Sequence, residues 1–81
     1  MDREIILEHL THAEQRIGYG ECEATRLRRD LTQLERAGDA TDATMDARQA
    51  LQLCEQSQAL HRAERARLLA ALSASKRLDN A

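Results

Sequence analysis

The stretch that decides the fold is residues 3–37, which read REIILEHLTHAEQRIGYGECEATRLRRDLTQLERA. Its small and apolar residues recur at alternating spacings of three and four, which place them along one face of an α-helix. The stripe consists of an a line, Leu10, Ile17, Ala24 and Leu31, and a d line, Ile6, Ala13, Gly20, Leu27 and Leu34. We therefore predict a first helix over about residues 3–37. A helix about 50 Å long is not stable in water unless another element covers its stripe.

The turn signal of the chain is Gly38, which follows the last periodic residue and suits the left-handed conformation that ends helices. We predict a turn at 38–41, with Thr41 as the N-cap of a second helix and Asp39 or Thr44 as alternatives. The second helix is predicted over about residues 42–75, and a frayed tail over 76–81. A short connection makes the helices antiparallel neighbours, so the fold class is all-α, a helical hairpin or antiparallel coiled coil that forms one unit over residues 1–81.

The composition excludes a β-sheet fold. The chain has 81 residues, of which 42% are hydrophobic, but it has one aromatic residue and lacks Val, Phe and Trp. Strands draw on β-branched and aromatic side chains. Leu and Ile together number only 15, few for a chain that must build a core alone. The composition therefore favours self-association, and the net charge of −2 provides no general attraction for nucleic acid.

The buried stripe of the second helix is less regular than that of the first. We expect it to contain Ala43, Ala47, Ala50, Leu51, Cys54, Ser57, His61, Glu64, Leu68, Ala71 and Leu72. Leu53, Leu60 and Leu69 flank this stripe, and a second copy would cover them in a four-helix bundle, so we predict a homodimer. The residues expected to pack or to mediate interaction are Ile6, Leu10, Ile17, Tyr19, Leu27, Leu31, Leu34, Leu51, Leu53, Leu60, Leu68 and Leu72.

A segment of small and polar residues, which we call the waist, separates two leucine-rich ends of the predicted hairpin. It consists of Ala13, Gly18, Gly20, Ala24, Ser57, His61 and Glu64. Folding at the turn places Gly20 opposite Ser57 or His61. Each glycine within a helix costs about 1 kcal/mol relative to alanine. The waist is consistent with a hinge, a device that fixes the register of the helices, or a ligand site.

His61 and Glu64 are the pair that most resembles a binding site, because residues three apart share a helix face. Glu-x-x-His pairs hold metals in some helical bundles, although the order here is the reverse. Metal sites need three or four converging ligands, so we expect no metal and no cofactor. We expect these two side chains to bond each other, or a partner on the first helix such as Tyr19 or Arg16. We find no catalytic set, and two helices do not enclose a pocket, so we predict that the protein is not an enzyme.

The remaining reactive side chains are expected to have structural or solvent-exposed roles. His9 and His12 fall on the solvated face, Cys54 on the buried stripe and Cys22 on the outside. Tyr19, the one aromatic residue, is either an exposed ring or a contact to a partner. Two basic clusters are interpreted as solvated helix faces, with a nucleic-acid patch as the alternative. Their members are Arg26, Arg28 and Arg29 in the first helix and Arg62, Arg65 and Arg67 in the second.

Three stretches carry a resemblance to known proteins: REIILEHL at 3–10, LTQLERAG at 31–38 and QALHRAERARLL at 58–69. They resemble a group of small, uncharacterised helical-hairpin proteins frequent in alphaproteobacteria, often described as hypothetical proteins. The resemblance implies a bacterial cytoplasmic hairpin and no particular activity. The acidic start of the chain, followed by only three consecutive apolar residues, also predicts no signal peptide and no transmembrane span.

The pattern as a whole favours a non-enzymatic module for protein interaction or assembly, located in the cytoplasm. Its expected partners are a second copy of the chain and another, unidentified protein. A metal or small ligand at His61 and Glu64 is one alternative. The other alternative is an accessory protein that binds nucleic acid through the arginine clusters. We expect no membrane partner, and nucleic acid is not the expected partner either.

Overall fold

A computed structural model describes residues 2–38 and 42–79, with side chains as far as Arg77. It consists of two α-helices, α1 at Arg3–Arg36 and α2 at Asp42–Asp79, and the described residues contain no strand. The helices lie side by side in an elongated shape of 63 × 14 × 14 Å. The predicted all-α helical hairpin is confirmed. The predicted capping roles of Asp39 and Thr41 lie outside the described residues. The alternative of Thr44 as the N-cap is wrong, because α2 already begins at Asp42.

Helix α1 ends where the sequence places a left-handed residue. Gly38 has φ +69°, in the region that favours glycine. The backbone N–H of Ala37 donates to the Gln33 carbonyl and that of Gly38 to the Glu35 carbonyl, both at 3.1 Å. These bonds use carbonyl groups that the end of a helix would otherwise leave unpaired. The end of α1 at Arg36 is therefore a local property of the chain, one residue before the predicted boundary.

Helix α2 is longer than predicted. The prediction of a frayed tail from residue 76 is wrong for 76–79, which continue the helix to Asp79. No Gly or Pro occurs between residues 42 and 79, so nothing in this stretch interrupts the helical hydrogen bonds. Lys76 and Arg77 lie in the last turn, where positive charge interacts favourably with the helix dipole.

The two helices meet along one seam. Every predicted stripe position of α1 is buried or half-buried, and Ile6, Ala13, Ile17 and Ala24 are the most buried. The prediction for α2 was partly wrong, because Ala43, Ala50 and Ser57 are exposed while Thr44 and Gln58 are buried. The observed seam of α2 has strict spacings of three and four residues: Thr44, Ala47, Leu51, Cys54, Gln58, His61, Arg65, Leu68, Leu72 and Ser75.

The best-packed part of the seam lies at the open end of the hairpin, away from the turn. Ile6, Ala13 and Leu68 form its buried cluster, and Leu10, Ala71 and Leu72 pack against them. The leucines near the turn are only half-buried: Leu27, Leu31, Leu34 and Leu51. Two helices cover each other along a single face, so side chains at the edge of that face stay in contact with water. Neither described helix contains a stretch apolar enough to span a bilayer.

Candidate functional site

The waist of the hairpin is built around Gln58, which the sequence analysis did not assign to it. Gln58 is 4% exposed, and its Nε2 donates a hydrogen bond to the Ile17 carbonyl on α1 at 3.0 Å. Its amide lies against Gly20, where a Cβ atom would collide with the Gln58 side chain. Gly20 therefore faces Gln58, not the predicted Ser57 or His61. The missing Cβ of Gly20 is what leaves space for the buried amide.

The other end of the Gln58 amide has no partner among the described residues. Its Oε1 is buried and accepts no hydrogen bond. The carbonyl of Ile17 can only accept a hydrogen bond, so the NH₂ group must point to it and Oε1 must point away. A buried polar atom left without a partner costs about 1–3 kcal/mol. The waist therefore contains a buried polar group whose hydrogen bonding is incomplete, although it lies on the same seam as the apolar open end.

The two glycines of the waist have different surroundings. Gly18 is exposed, and a Cβ atom there would meet nothing within 4 Å. Its assignment to the waist is wrong, because position 18 lies on the outer face of α1. Gly20 is half-buried, and its carbonyl accepts a bond from the Cys54 thiol at an Sγ–O distance of 3.6 Å. Of the two glycines, it is therefore Gly20 that allows the helices to approach closely.

His61 and Glu64 do not bond each other. His61 Nε2 lies 3.2 Å from Ser57 Oγ, and Glu64 Oε2 accepts a hydrogen bond from Arg67 at 2.6 Å. The expectation of a bond between them, or of one from either residue to Tyr19 or Arg16, is wrong, because each finds a nearer partner within α2. Among the residues that the structure describes, no three His, Cys, Asp or Glu side chains converge on a point where a metal ion would fit.

The charge of Glu64 is stabilised by its surroundings. The hydrogen bond from Arg67 is the main cause that lowers the pKa of Glu64, and the positive charge of Arg67 adds to it. Desolvation is the second-largest influence and acts against this shift, while the charges of His9 and Arg16, both on α1, act in the same direction as Arg67. The carboxylate thus interacts with charges on both helices, and it remains ionised at neutral pH.

An open groove of about 620 Å³ runs along one side of the waist, which we call the groove side. Its lining includes the following residues of the two helices: His12, Tyr19, Glu23, Ser57, Gln58 and His61. The groove is open to solvent along its length, as expected for two helices that cannot enclose a cavity. It is the concave part of the surface at which His61, the exposed Tyr19 ring and the buried Gln58 amide come together.

The opposite side of the hairpin, which we call the ion-pair side, is bridged by charges. Arg28 Nη2 lies 3.4 Å from Glu55 Oε1, and Arg62 Nη2 lies 3.5 Å from Glu21 Oε1. Both pairs join α1 to α2 across the seam. All four side chains remain more than half exposed, so each pair contributes less than about 1 kcal/mol. The two long sides of the waist therefore differ, because charges bridge the ion-pair side over a hollow of about 310 Å³, half the volume of the groove on the other side.

Most arginines of the two basic clusters are paired with carboxylates. Besides the two cross-helix pairs, Arg26 bonds Glu23 and Arg67 bonds Glu64. The hydrogen bond to Glu23 raises the pKa of Arg26 above its ordinary value. Arg65 is half-buried on the seam instead of lying on a solvated face. These pairs reduce the positive charge available to phosphate groups, and the nucleic-acid alternative stays a prediction.

Large apolar side chains remain exposed on the groove side. On α2, Leu53 is 58% exposed and Leu60 is 71% exposed, and they lie seven residues apart on the same line of the helix. Tyr19 on α1 is 76% exposed. The side of the hairpin that carries the groove therefore also carries the two most exposed leucines among the side chains that the structure describes.

No family model, curated protein or solved structure matches the chain. The resemblance to alphaproteobacterial hairpin proteins therefore stays a prediction.

Proposed function

We propose that the chain is a non-enzymatic module for protein interaction, and that its hairpin associates with a second copy to form a four-helix bundle. The observation that carries this proposal is the exposure of Leu53 and Leu60 on a helix that already packs along another face. Burying a leucine side chain fully contributes about 1.5–3 kcal/mol. A symmetric pair covers four such leucines, and symmetric dimers are the commonest assemblies of small proteins.

The backbone around the groove supports the non-enzymatic part of this proposal. Ser57 and His61 share a hydrogen bond, but both groove walls are the middle sections of long helices. Backbone N–H groups within a helix are already bonded to carbonyls one turn earlier. They are not available to stabilise a developing oxyanion, which is usually the largest contribution to acyl transfer.

The test is the molar mass of the purified protein at micromolar concentration, measured by sedimentation or by light scattering after gel filtration. A dimer has about twice the chain mass of 9.1 kDa. We expect the double variant Leu53→Gln/Leu60→Gln to shift the mass towards that of the monomer, because two polar amides replace the apolar contact surface. A wild-type chain that stays monomeric at every concentration contradicts the proposal.

The matched control is Leu69→Gln. Leu69 is also an exposed leucine of α2, at 45%, but it lies on the ion-pair side. We expect this variant to keep the wild-type mass. If it dissociates the dimer while the Leu53/Leu60 variant does not, the contact lies on the other side of the hairpin.

A small ligand bound in the groove is a second candidate function, favoured by the groove volume of about 620 Å³. Ligand sites in proteins commonly have volumes of about 300–1,000 Å³. Glu64 does not line this groove, so His61 and Tyr19 become the contacts to test. Two probes test it. Binding of Zn²⁺ is measured by the change in thermal unfolding, and binding of the dye 1-anilinonaphthalene-8-sulfonate is measured by its fluorescence. Binding that His61→Ala or Tyr19→Ala abolishes supports this function, whereas no binding of either probe contradicts it.

A further inference from the structure

A second heptad-spaced stripe runs along α2 on the groove side, beside the seam. One of its lines consists of Asp46, Leu53, Leu60 and Arg67, all exposed and seven residues apart. The other line lies nearer the seam and consists mainly of small residues: Ala43, Ala50, Ser57, Glu64 and Ala71. The two lines alternate at spacings of three and four residues, as in the contact face of a coiled coil. We call these residues the second stripe.

The order of side chains along the outer line is self-complementary. From the N-terminal to the C-terminal side it reads acid, leucine, leucine, base: Asp46, Leu53, Leu60, Arg67. When two copies of α2 run antiparallel, Leu53 of each copy lies beside Leu60 of the other, and Asp46 lies beside Arg67. When two copies run parallel in register, each residue meets itself, so Asp46 faces Asp46 and Arg67 faces Arg67. Like charges in that arrangement repel each other.

We propose that a second copy of the chain docks antiparallel on the second stripe, with the two-fold axis close to Ser57. This inference rests on the proposed self-association and adds its surface and direction. The small side chains of Ala50 and Ser57 let the two helix backbones approach closely. Arg67 is 71% exposed beside Glu64, so it is free to take a second carboxylate, Asp46 of the other copy, without breaking its own pair.

The other faces of the hairpin fit a second copy less well. On the ion-pair side of α2, Glu55 and Arg62 already pair with α1, and covering them would remove charges from water. The line of α1 that borders the groove side consists of Ile5, His12, Tyr19, Arg26 and Gln33. Its one aliphatic side chain, Ile5, lies at the N-terminal end of the helix, away from the waist. The second stripe of α2 therefore combines exposed leucines, small residues and opposite charges on one surface.

Site-directed cross-linking tests the direction of the helices. The exposed native thiol is first removed by Cys22→Ser. Ser57→Cys and Ala50→Cys are then introduced separately into this background, and each protein is treated with a short bismaleimide cross-linker. The background protein without either new cysteine shows how much cross-linking comes from Cys54. We expect Ser57→Cys to cross-link efficiently, because it lies next to its own copy at the axis. We expect Ala50→Cys not to do so, because its opposite position on the other copy holds no cysteine. A parallel dimer would cross-link at both positions.

Charge exchange tests the register. The single variants Asp46→Arg and Arg67→Asp are each expected to raise the Kd of the dimer about tenfold, because each places like charges side by side. The double variant Asp46→Arg/Arg67→Asp is expected to recover the wild-type Kd to within about threefold. Arg29→Glu, an exposed change on the outer face of α1, is the control and is expected to leave the Kd unchanged.

The outcomes separate this inference from the proposed function. A wild-type chain that never dimerises contradicts both. A stable wild-type dimer in which Ala50→Cys cross-links as well as Ser57→Cys, or in which the double charge exchange fails to recover affinity, overturns the antiparallel second-stripe contact and leaves self-association standing. Efficient cross-linking at Ser57 alone, together with recovery by the double exchange, supports it.

Discussion

The open end of the hairpin and its waist share one seam and one spacing, but they are held together differently. At the open end, Ile6 is 1% exposed and packs with Ala13 and Leu68 as a small apolar cluster. At the waist, the Gln58 amide is buried against Gly20 and bonds a single carbonyl of α1. Apolar contacts tolerate many relative positions of two helices, whereas a buried amide needs a particular partner. We therefore expect the open end to supply most of the stability and the waist to set the register of the two helices.

The largest effect is expected at the open end. Leu68→Ala removes most of a buried side chain whose neighbours on a second long helix cannot collapse into the space. We expect the free energy of unfolding to fall by about 2–4 kcal/mol. Urea denaturation followed by circular dichroism, at fixed protein concentration, measures it. Leu51→Ala, at a half-buried leucine near the turn, is the control; an equal loss there would show that the open end is not the more stabilising region.

The next effect tests the close approach at the waist. Gly20→Ala places a Cβ atom where the Gln58 side chain lies, so the gain in helix propensity is outweighed by displacement of the amide. We expect a loss of about 1–3 kcal/mol. Gly18→Ala, with open space around it, is the matched control and is expected to gain about 1 kcal/mol. If both substitutions stabilise the protein equally, Gly20 is not needed for packing.

A smaller effect tests the buried amide itself. Gln58→Met keeps the length of the side chain and removes the unpartnered Oε1, so the free energy of unfolding is expected to rise by about 1 kcal/mol. The register is expected to become less well defined, which would appear as additional sets of amide peaks in a ¹H–¹⁵N spectrum. A destabilised variant with a single set of peaks would mean that the Ile17 hydrogen bond outweighs the cost of Oε1.

The smallest effect concerns the exposed edge of the waist. Arg67 lowers the pKa of Glu64 in the folded chain, so the carboxylate stabilises the fold above its ordinary pKa of 4.5. This contribution is lost as the pH falls from about 4.5 through the lowered folded value. Glu64→Gln should therefore show a smaller decrease in melting temperature between pH 7 and pH 3 than the wild type. An identical decrease in both proteins would show that the Arg67 pair does not persist in solution.

The sequence predicts the two helices well because the signals are local. The stripe from Ile6 to Leu34 is regular, and Gly38 marks its end. The same reasoning misplaced the seam of α2, because an alanine-rich helix offers more than one line of small residues. The predicted line runs through Ala43 and Ala50, whereas the covered line runs through Thr44 and Gln58. Both lines alternate with Ala47, Cys54, His61 and Leu68 at spacings of three and four residues, so the spacing alone does not distinguish them.

The site is less predictable than the fold. The region around Gly20 and His61 could be identified from the sequence as polar and small. The hydrogen bond from Gln58 joins residues 41 positions apart, and the difference between Gly18 and Gly20 appears only when α2 lies against one of them. A long-range contact depends on the relative rotation of two helices, which no local pattern specifies.

By itself, the sequence determined the all-α class, the stripe of α1 and the helix end at Gly38, because the periodicity and capping of a helix depend on residues close together in the chain. The tertiary structure decided which line of α2 is covered, where the groove opens and which charges bridge the helices. Those features depend on how the surfaces of the two helices fit together. Gln58 packs against Gly20 because α1 has no side chain at that position.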